Sequence, residues 1–136
     1  MGRAVDLLCV TDVAEALESL RALIPVPVLV VHTKYWSAAV GDRAAAYTEA
    51  LDEGIVVAST RYTHGDDYTD DDYNRMRNRP RHTEAARFAG NLEERMRGVV
   101  RCLPGYHLDV AEPTTIGLGD AFVGGFLAAV ERHGVD

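Results

Sequence analysis

The residues best suited to chemistry lie in one glycine-framed segment, residues 113–122, which reads PTTIGLGDAF. Gly117 and Gly119 let main-chain N–H groups approach a ligand with no Cβ in the way. We call residues 116–119 the glycine turn. N–H groups at the start of a helix bind anions, and Asp120 adds a carboxylate there. This combination suits phosphoryl transfer, in which N–H groups stabilise the migrating group while a carboxylate takes the hydroxyl proton. The alternative is that Asp120 simply caps the helix.

Residues 115–120, Thr-Ile-Gly-Leu-Gly-Asp, resemble the C-terminal signature of the ribokinase-like sugar kinases. Leu118, where the ATP-dependent members more often carry Ala, is more similar to the ADP-dependent glucokinase and phosphofructokinase branch. The resemblance implies that Asp120 is the catalytic base, that the glycine turn binds the transferring phosphate, and that Thr115 supports the turn. It also implies ADP as phosphoryl donor, a sugar or sugar phosphate as acceptor, and Mg²⁺ bridging the phosphates, with Asp120 as at most an indirect metal ligand.

A second candidate group follows an apolar run at residues 26–32, which has the composition of a strand buried on both faces. An open α/β sheet binds ligands at the carboxyl ends of its strands, and this run ends in His32 and Thr33. The pair resembles one that contacts the nucleotide in ADP-dependent sugar kinases. The residues alone leave a structural role equally open, with His32 hydrogen-bonded at a strand end and Trp36 in the core.

Two further residues are weaker candidates. Arg61 follows a predicted strand at 55–58 and has the fork geometry to hold a phosphate, although pairing with nearby acids is the favoured interpretation. Val110 lies ten positions before Asp120, where the resemblance implies an apolar residue against the adenine ring; such residues are usually core.

Other chemistries find less support. The aspartates within residues 65–81 lack the spacing of a calcium loop, and a solvated, mobile excursion with mutually paired charges is expected instead. Residues 91–94 match the N-x-x-E magnesium motif only formally, because their leucine belongs to an apolar helix stripe. An NAD-binding site fails since Phe122 replaces the third glycine of the dinucleotide motif.

Composition limits the class of protein. The chain has 136 residues, 47% hydrophobic and 26% charged, which suits one globular α/β domain. A net charge of -7 argues against nucleic acid as a partner. No stretch has the length and apolarity of a membrane span, so a cytoplasmic protein is expected. Cys9 and Cys102 are isolated in apolar segments and predict reduced thiols.

The periodicity predicts alternating strands and helices. Strands are expected at 5–10, 26–32, 55–58, 99–103 and 106–111, and helices at 12–23, 42–52, from 83 and from 120. We therefore expect a three-layer (helix-sheet-helix), Rossmann-like domain, with a mostly parallel sheet and an antiparallel hairpin at one edge. The resemblance implies that residues 1–136 match the C-terminal part of a ribokinase-like large domain.

Family members are longer, and their sugar-binding parts and N-x-x-E motif precede the matching region. The expectation is therefore half of an active site, completed by a second chain or by an N-terminal region that is missing. A non-catalytic nucleotide-binding fragment or subunit, or an ATP-dependent ribokinase relative, remain the alternatives. The sugar-facing residues would lie outside this chain in each case.

Overall fold

A computed structural model describes residues 5–110, 113 and 115–133. The described part contains five α-helices, three strands and a single 3-10 turn at Ala44–Tyr47. The helices and strands, in chain order, are α1 Val10–Leu23, β1 Leu29–His32, β2 Trp36–Val40, α2 Thr48–His64, α3 Asp70–Met76, α4 Thr83–Arg95, β3 Val100–Pro104 and α5 Leu118–His133.

The described strands form one sheet in the order β1-β2-β3, with both pairs antiparallel. The central strand β2 is buried along its whole length, whereas β1 at the edge is only partly buried. The prediction of a mostly parallel sheet is not borne out for these strands. For β1 and β2 the reason is the turn at 33–35, because so short a connection permits only antiparallel pairing.

Helices pack on both faces of this sheet, so the expected α/β layering is present in the described residues. One apolar cluster contains Trp36 and Ala38 of β2 with residues of α1 and α4. The other contains Ala39 of β2 with residues of α2 and α5. Successive strand residues point to opposite faces, which is why neighbouring positions of β2 join different clusters. The sequence did not predict β2 itself, since its small residues give little strand signal.

Three predicted strands are wrong, and two of them fall in segments without regular strand structure. Residues 5–9 form no strand; Leu7 lies in a turn before α1, where its carbonyl accepts a hydrogen bond from Trp36 Nε1 at 2.7 Å. Residues 106–110 also form no strand, and Tyr106 makes only an isolated bridge to Arg81. The predicted hairpin therefore does not form, although β3, α1, α4 and α5 lie close to where the sequence places them.

The predicted strand at 55–58 is the middle of α2, which continues through Gly54 beyond the predicted helix end at residue 52. A Cβ on Gly54 would lie 2.6 Å from the ring of Phe122, so the glycine is required by the close crossing of α2 and α5. Gly125 has the same role from the other side, because its Cβ would lie 2.8 Å from Val57. Tertiary packing here overrides the strand preference of the β-branched run.

The charged segment 65–81 was expected to be a solvated excursion, and it contains α3 instead. Thr69 and Asp72 form a capping box at the start of α3. Arg77 contacts Glu53, and Arg81 contacts Asp52, so most of the pairing joins this segment to α2. Only Arg75 with Asp72 pairs inside the segment in the predicted manner.

Within the described ranges no helix has both the length and the apolarity needed to cross a lipid bilayer. Cys9 and Cys102 are both free thiols, as the sequence predicts. Burial raises the pKa of the Cys102 thiol far above its ordinary value, so this cysteine is a core residue and not a nucleophile.

Candidate functional site

The candidate site is a cleft of about 540 Å³ between the β1–β2 hairpin, α2, the segment after β3 and the start of α5. Four of the predicted site residues line it: His32, Thr33, Thr115 and Leu118. The first two lie more than eighty positions before the last two in the sequence, and the fold brings the two predicted groups together. Val110, Gly117, Gly119 and Asp120 are not among the lining residues, although Leu118 lies between the two glycines.

The glycine turn leads directly into α5. Gly117 has a φ of 80°, in the left-handed region that disfavours residues with a side chain. Its carbonyl accepts a hydrogen bond from the Ala121 N–H at 3.0 Å, which starts the helix. The first N–H groups of a helix have no carbonyl partner within it, so those at the start of α5 are available to an anion.

Asp120 is the third residue of α5 and is exposed. Its carboxylate has no hydrogen-bond or ion-pair partner among the residues that the structure describes. The alternative role as a helix cap therefore has no support in the described geometry. An unpaired carboxylate beside free helix N–H groups has the composition that a base next to an anion site requires.

His32 is placed against the start of α5 by a stacked ring contact. Its imidazole lies 4.3 Å from the ring of Phe122, centroid to centroid, at an interplanar angle of 14°. His32 Nδ1 is 2.9 Å from Ser37 Oγ on the paired strand β2. Desolvation lowers the pKa of His32 below its ordinary value, which favours a neutral ring at pH 7. The wall of the cleft is therefore uncharged at this point.

Thr33 faces the cleft, but its hydroxyl is already used by the hairpin turn. Thr33 Oγ1 donates to the Trp36 carbonyl at 2.8 Å and accepts from the N–H groups of Tyr35 and Trp36 at 3.2 and 3.1 Å. The Thr33 side chain thus holds the turn that presents His32, and its contribution to the cleft is chiefly its position.

Arg61 lies in the last turn of α2 and not at a strand end. Its Nε and Nη2 atoms donate to the Ile116 carbonyl at 3.2 and 3.0 Å, and its Nη1 contacts Asp66. The predicted pairing with a nearby acid is therefore present. The contact with the glycine turn was not predicted, because residues 61 and 116 share no local pattern.

Aromatic side chains complete the cleft, and sequence reasoning missed them. Tyr35 and His82 lie 5.6 Å apart between ring centroids, and His82 and His107 lie 6.2 Å apart. The His82 Nδ1 accepts from the Ala85 N–H at 3.1 Å, which fixes this ring at the start of α4. Tyr62 and Tyr106 also line the cleft. The only local signal was the turn at 104–105, which places Tyr106 and His107 directly after β3.

A second cleft of similar size is less suited to a ligand. Its wall carries Asp52, Glu53, Arg77 and Arg132. These groups pair with one another, since Arg77 contacts both Asp52 and Glu53, and Arg132 lies 3.5 Å from Glu53. Paired charges satisfy each other and leave little to attract a ligand, so the aromatic cleft is the better candidate.

Comparison with protein families and with curated proteins gives no match. Solved structures do match. A phosphofructokinase from Pyrococcus horikoshii OT3 with AMP superposes with a TM-score of 0.70 and 23% identity, over 90% of this chain and 30% of that chain. An ADP-dependent kinase in complex with fructose-6-phosphate and ADPβS gives a TM-score of 0.72 and 17% identity, over 92% and 32% of the respective chains. The last common ancestor of ADP-dependent phosphofructokinases from Methanosarcinales gives 0.67 and 16%, over 93% and 31%.

The fold of this chain is similar to that of the ADP-dependent phosphofructokinases. The resemblance predicted from the glycine turn and the His-Thr pair is thus confirmed for the fold. At identities of 16 to 23% the likeness extends to the fold alone. The chain spans about 30% of the length of these kinases.

The sugar-kinase resemblance implies a magnesium ion, and the described residues offer it little. They contain no group of three or more His, Cys, Asp or Glu side chains that could hold a metal. Of the predicted residues only Asp120 carries a carboxylate. Mg²⁺ commonly binds through one or two carboxylates together with substrate phosphates, so the chain fits such an ion only when a nucleotide supplies most of the ligands.

Proposed function

We propose that this chain is the nucleotide-binding part of a phosphotransferase that acts on an alcohol group, namely a sugar kinase that uses ADP as phosphoryl donor. The observation that carries the proposal is the cleft, because it joins His32 and Thr33 to Thr115 and Leu118 beside the glycine turn. Two groups that lie more than eighty positions apart in the sequence thus border one space. The likeness to ADP-dependent kinases adds support at the level of the fold.

In this proposal the base of the nucleotide occupies the aromatic part of the cleft, near His32 and Thr33. Its phosphates extend toward Gly117, Leu118 and Gly119, whose N–H groups stabilise the transferring phosphoryl group. Thr115 supports the turn, and Val110 contributes an apolar surface near the base. The Asp120 carboxylate takes the proton of the attacking sugar hydroxyl as the new phosphorus–oxygen bond forms. Mg²⁺, when bound to the phosphates, offsets their negative charge, with Asp120 at most an indirect ligand.

The acceptor is proposed to be a sugar or sugar phosphate. Because the chain spans about 30% of the kinases it resembles, the acceptor pocket is assigned to polypeptide outside these residues, either a preceding region or a second chain. Residues 1–136 then correspond to the C-terminal part of a large domain with a mostly parallel sheet, in a cytoplasmic enzyme of carbohydrate metabolism.

A second candidate is a nucleotide-binding module without catalysis. It would need the cleft and the glycine turn but no acceptor pocket. An ATP-dependent ribokinase relative would use the same base and turn with a different donor.

Calorimetric titration of the purified chain with ADP, AMP and ATP in the presence of Mg²⁺ tests the shared part of these proposals. Tighter binding of ADP or AMP than of ATP supports the ADP-dependent assignment, and preference for ATP supports the ribokinase relative. Absence of binding by a folded chain contradicts nucleotide recognition altogether.

A matched pair of variants locates the binding. Ser59 lines the cleft on α2, whereas Ser19 is exposed on α1. Ser59→Trp should fill the cleft and abolish ADP binding, while Ser19→Trp should leave the affinity unchanged. Equal affinities in the two variants would place the nucleotide elsewhere.

A further inference from the structure

The guanidinium of Arg61 lies between the glycine turn and an acidic residue. Two of its nitrogen atoms donate to the Ile116 carbonyl, and the third contacts the Asp66 carboxylate. A Cβ on Gly117 would lie 3.2 Å from Arg61 Nη2, so the arginine packs directly against the turn. This contact joins the end of α2 to the start of α5.

Two carbonyl groups of the turn accept hydrogen bonds that fix their orientation. The Ile116 carbonyl accepts from Arg61, and the Gly117 carbonyl accepts from the Ala121 N–H. In a planar trans peptide the N–H points opposite to the carbonyl, so fixing these two carbonyls fixes where the N–H groups of Gly117 and Leu118 point. The Gly117 N–H therefore points away from Arg61, and neither N–H has a hydrogen-bond partner among the described residues.

The charge of Arg61 is offset by its neighbour. All three of its nitrogen atoms already face an acceptor, and Asp66 brings a negative charge to the same group. An arginine that is held and neutralised in this way contributes geometry more than positive charge. A lysine at this position would keep the charge but lose the planar fork that reaches the carbonyl and the carboxylate together.

We propose that Arg61, held by Asp66, is a positioning residue that orients the N–H groups of the glycine turn toward the terminal phosphate of the nucleotide. The inference rests on the proposed function and adds to it a residue outside the glycine turn. It predicts that Arg61 matters for ADP, whose second phosphate would reach the turn, and matters little for AMP.

The test compares ADP and AMP binding, by calorimetry with Mg²⁺, in the unsubstituted chain and in Arg61→Gln and Arg61→Lys. Both variants should weaken ADP binding by about tenfold or more while AMP affinity stays within about twofold. Asp66→Asn should weaken ADP binding by at most about fivefold, because Asp66 is 71% exposed. Arg21→Gln is the control, since it breaks the ion pair between Arg21 of α1 and Asp42, which lies away from the glycine turn.

Each other outcome overturns the inference in a recognisable way. If Arg61→Lys binds ADP like the unsubstituted chain, the arginine acts by charge and not by positioning. If Arg61→Gln weakens ADP and AMP equally, the effect is a general loss of structure. If the unsubstituted chain binds ADP and every variant does too, only this inference fails. If the unsubstituted chain binds neither nucleotide, the proposed function fails and takes the inference with it.

Discussion

The hairpin turn at 33–35 and the glycine turn border the same cleft, yet they use their hydrogen-bonding groups in opposite ways. The Thr33 hydroxyl makes three hydrogen bonds inside its own turn. In the glycine turn two carbonyls accept hydrogen bonds, whereas the first N–H groups of the helix and the Asp120 carboxylate have no partner among the described residues. A side chain whose hydrogen bonds are all made within its own turn stabilises the site, whereas a group without a partner beside a cleft can bind a ligand. The same family resemblance suggested both turns, and the contacts assign them different roles.

Asp120→Asn gives the largest expected effect and tests whether the unpaired carboxylate next to the glycine turn takes part in the reaction. In the complete enzyme, loss of the base should lower turnover by about 10²-fold or more, while the affinity for ADP stays nearly unchanged. Steady-state kinetics of ADP-dependent sugar phosphorylation, together with nucleotide titration, measures both. Asp67→Asn, at an exposed aspartate, is the matched control. Unchanged turnover in Asp120→Asn would remove the carboxylate from the mechanism.

The crossing of α2 and α5 carries the glycine turn, and Gly54→Ala should break it. The new Cβ would lie 2.6 Å from the Phe122 ring, and overpacking of this kind costs about 1–3 kcal/mol. Gly90 is the matched control in α4, because its Cβ would meet nothing within 4 Å. Gly90→Ala should stabilise the chain by up to about 1 kcal/mol through helix preference. Urea unfolding checks both, and equal effects of the two substitutions would contradict the close crossing.

Substitutions at the two glycines of the turn should distinguish an effect on stability from an effect on ADP binding. Gly117→Ala should lower the free energy of unfolding by about 1–2 kcal/mol, because φ is 80° at this position. Gly119→Ala should leave stability unchanged or slightly raised, since its Cβ would meet no atom within 4 Å. Both should weaken ADP binding, through altered geometry in one case and a methyl group facing the phosphate in the other. If Gly119→Ala binds ADP normally, the phosphate does not approach this N–H.

Thr33→Val gives the smallest expected change in binding and tests whether the Thr33 hydroxyl serves only to stabilise the hairpin turn. Loss of the turn hydrogen bonds should cost about 1–2 kcal/mol in stability. ADP affinity should remain nearly constant wherever the chain is folded, and Thr33→Ser should restore stability. Thermal unfolding and calorimetry provide the two readings. A large loss of ADP affinity in a stable Thr33→Val chain would show that the hydroxyl contacts the nucleotide after all.

Local sequence patterns correctly predicted those helices and strands whose apolar spacing can be recognised within the element itself. Val13 and Leu17 of α1, and Phe88 and Leu92 of α4, have helical spacing and are buried as expected. Residues 55–58 were wrongly predicted as a strand because their β-branched side chains favour one. They are helical because α2 packs closely against Phe122, far along the chain. The small residues of β2 carry little strand signal, although this strand is the most deeply buried of the three.

The glycine turn, with Asp120 at the third position of α5, was readable from the sequence because backbone freedom, helix start and carboxylate all lie within a few residues. Tertiary structure alone decided what this turn faces. It placed His32 against Phe122, gathered Tyr35, His82 and His107 into one cleft, and set Arg61 on the Ile116 carbonyl. The physical reason is distance along the chain: periodicity and turn chemistry act between near neighbours, whereas these contacts depend on how α2, α5 and the hairpin pack together.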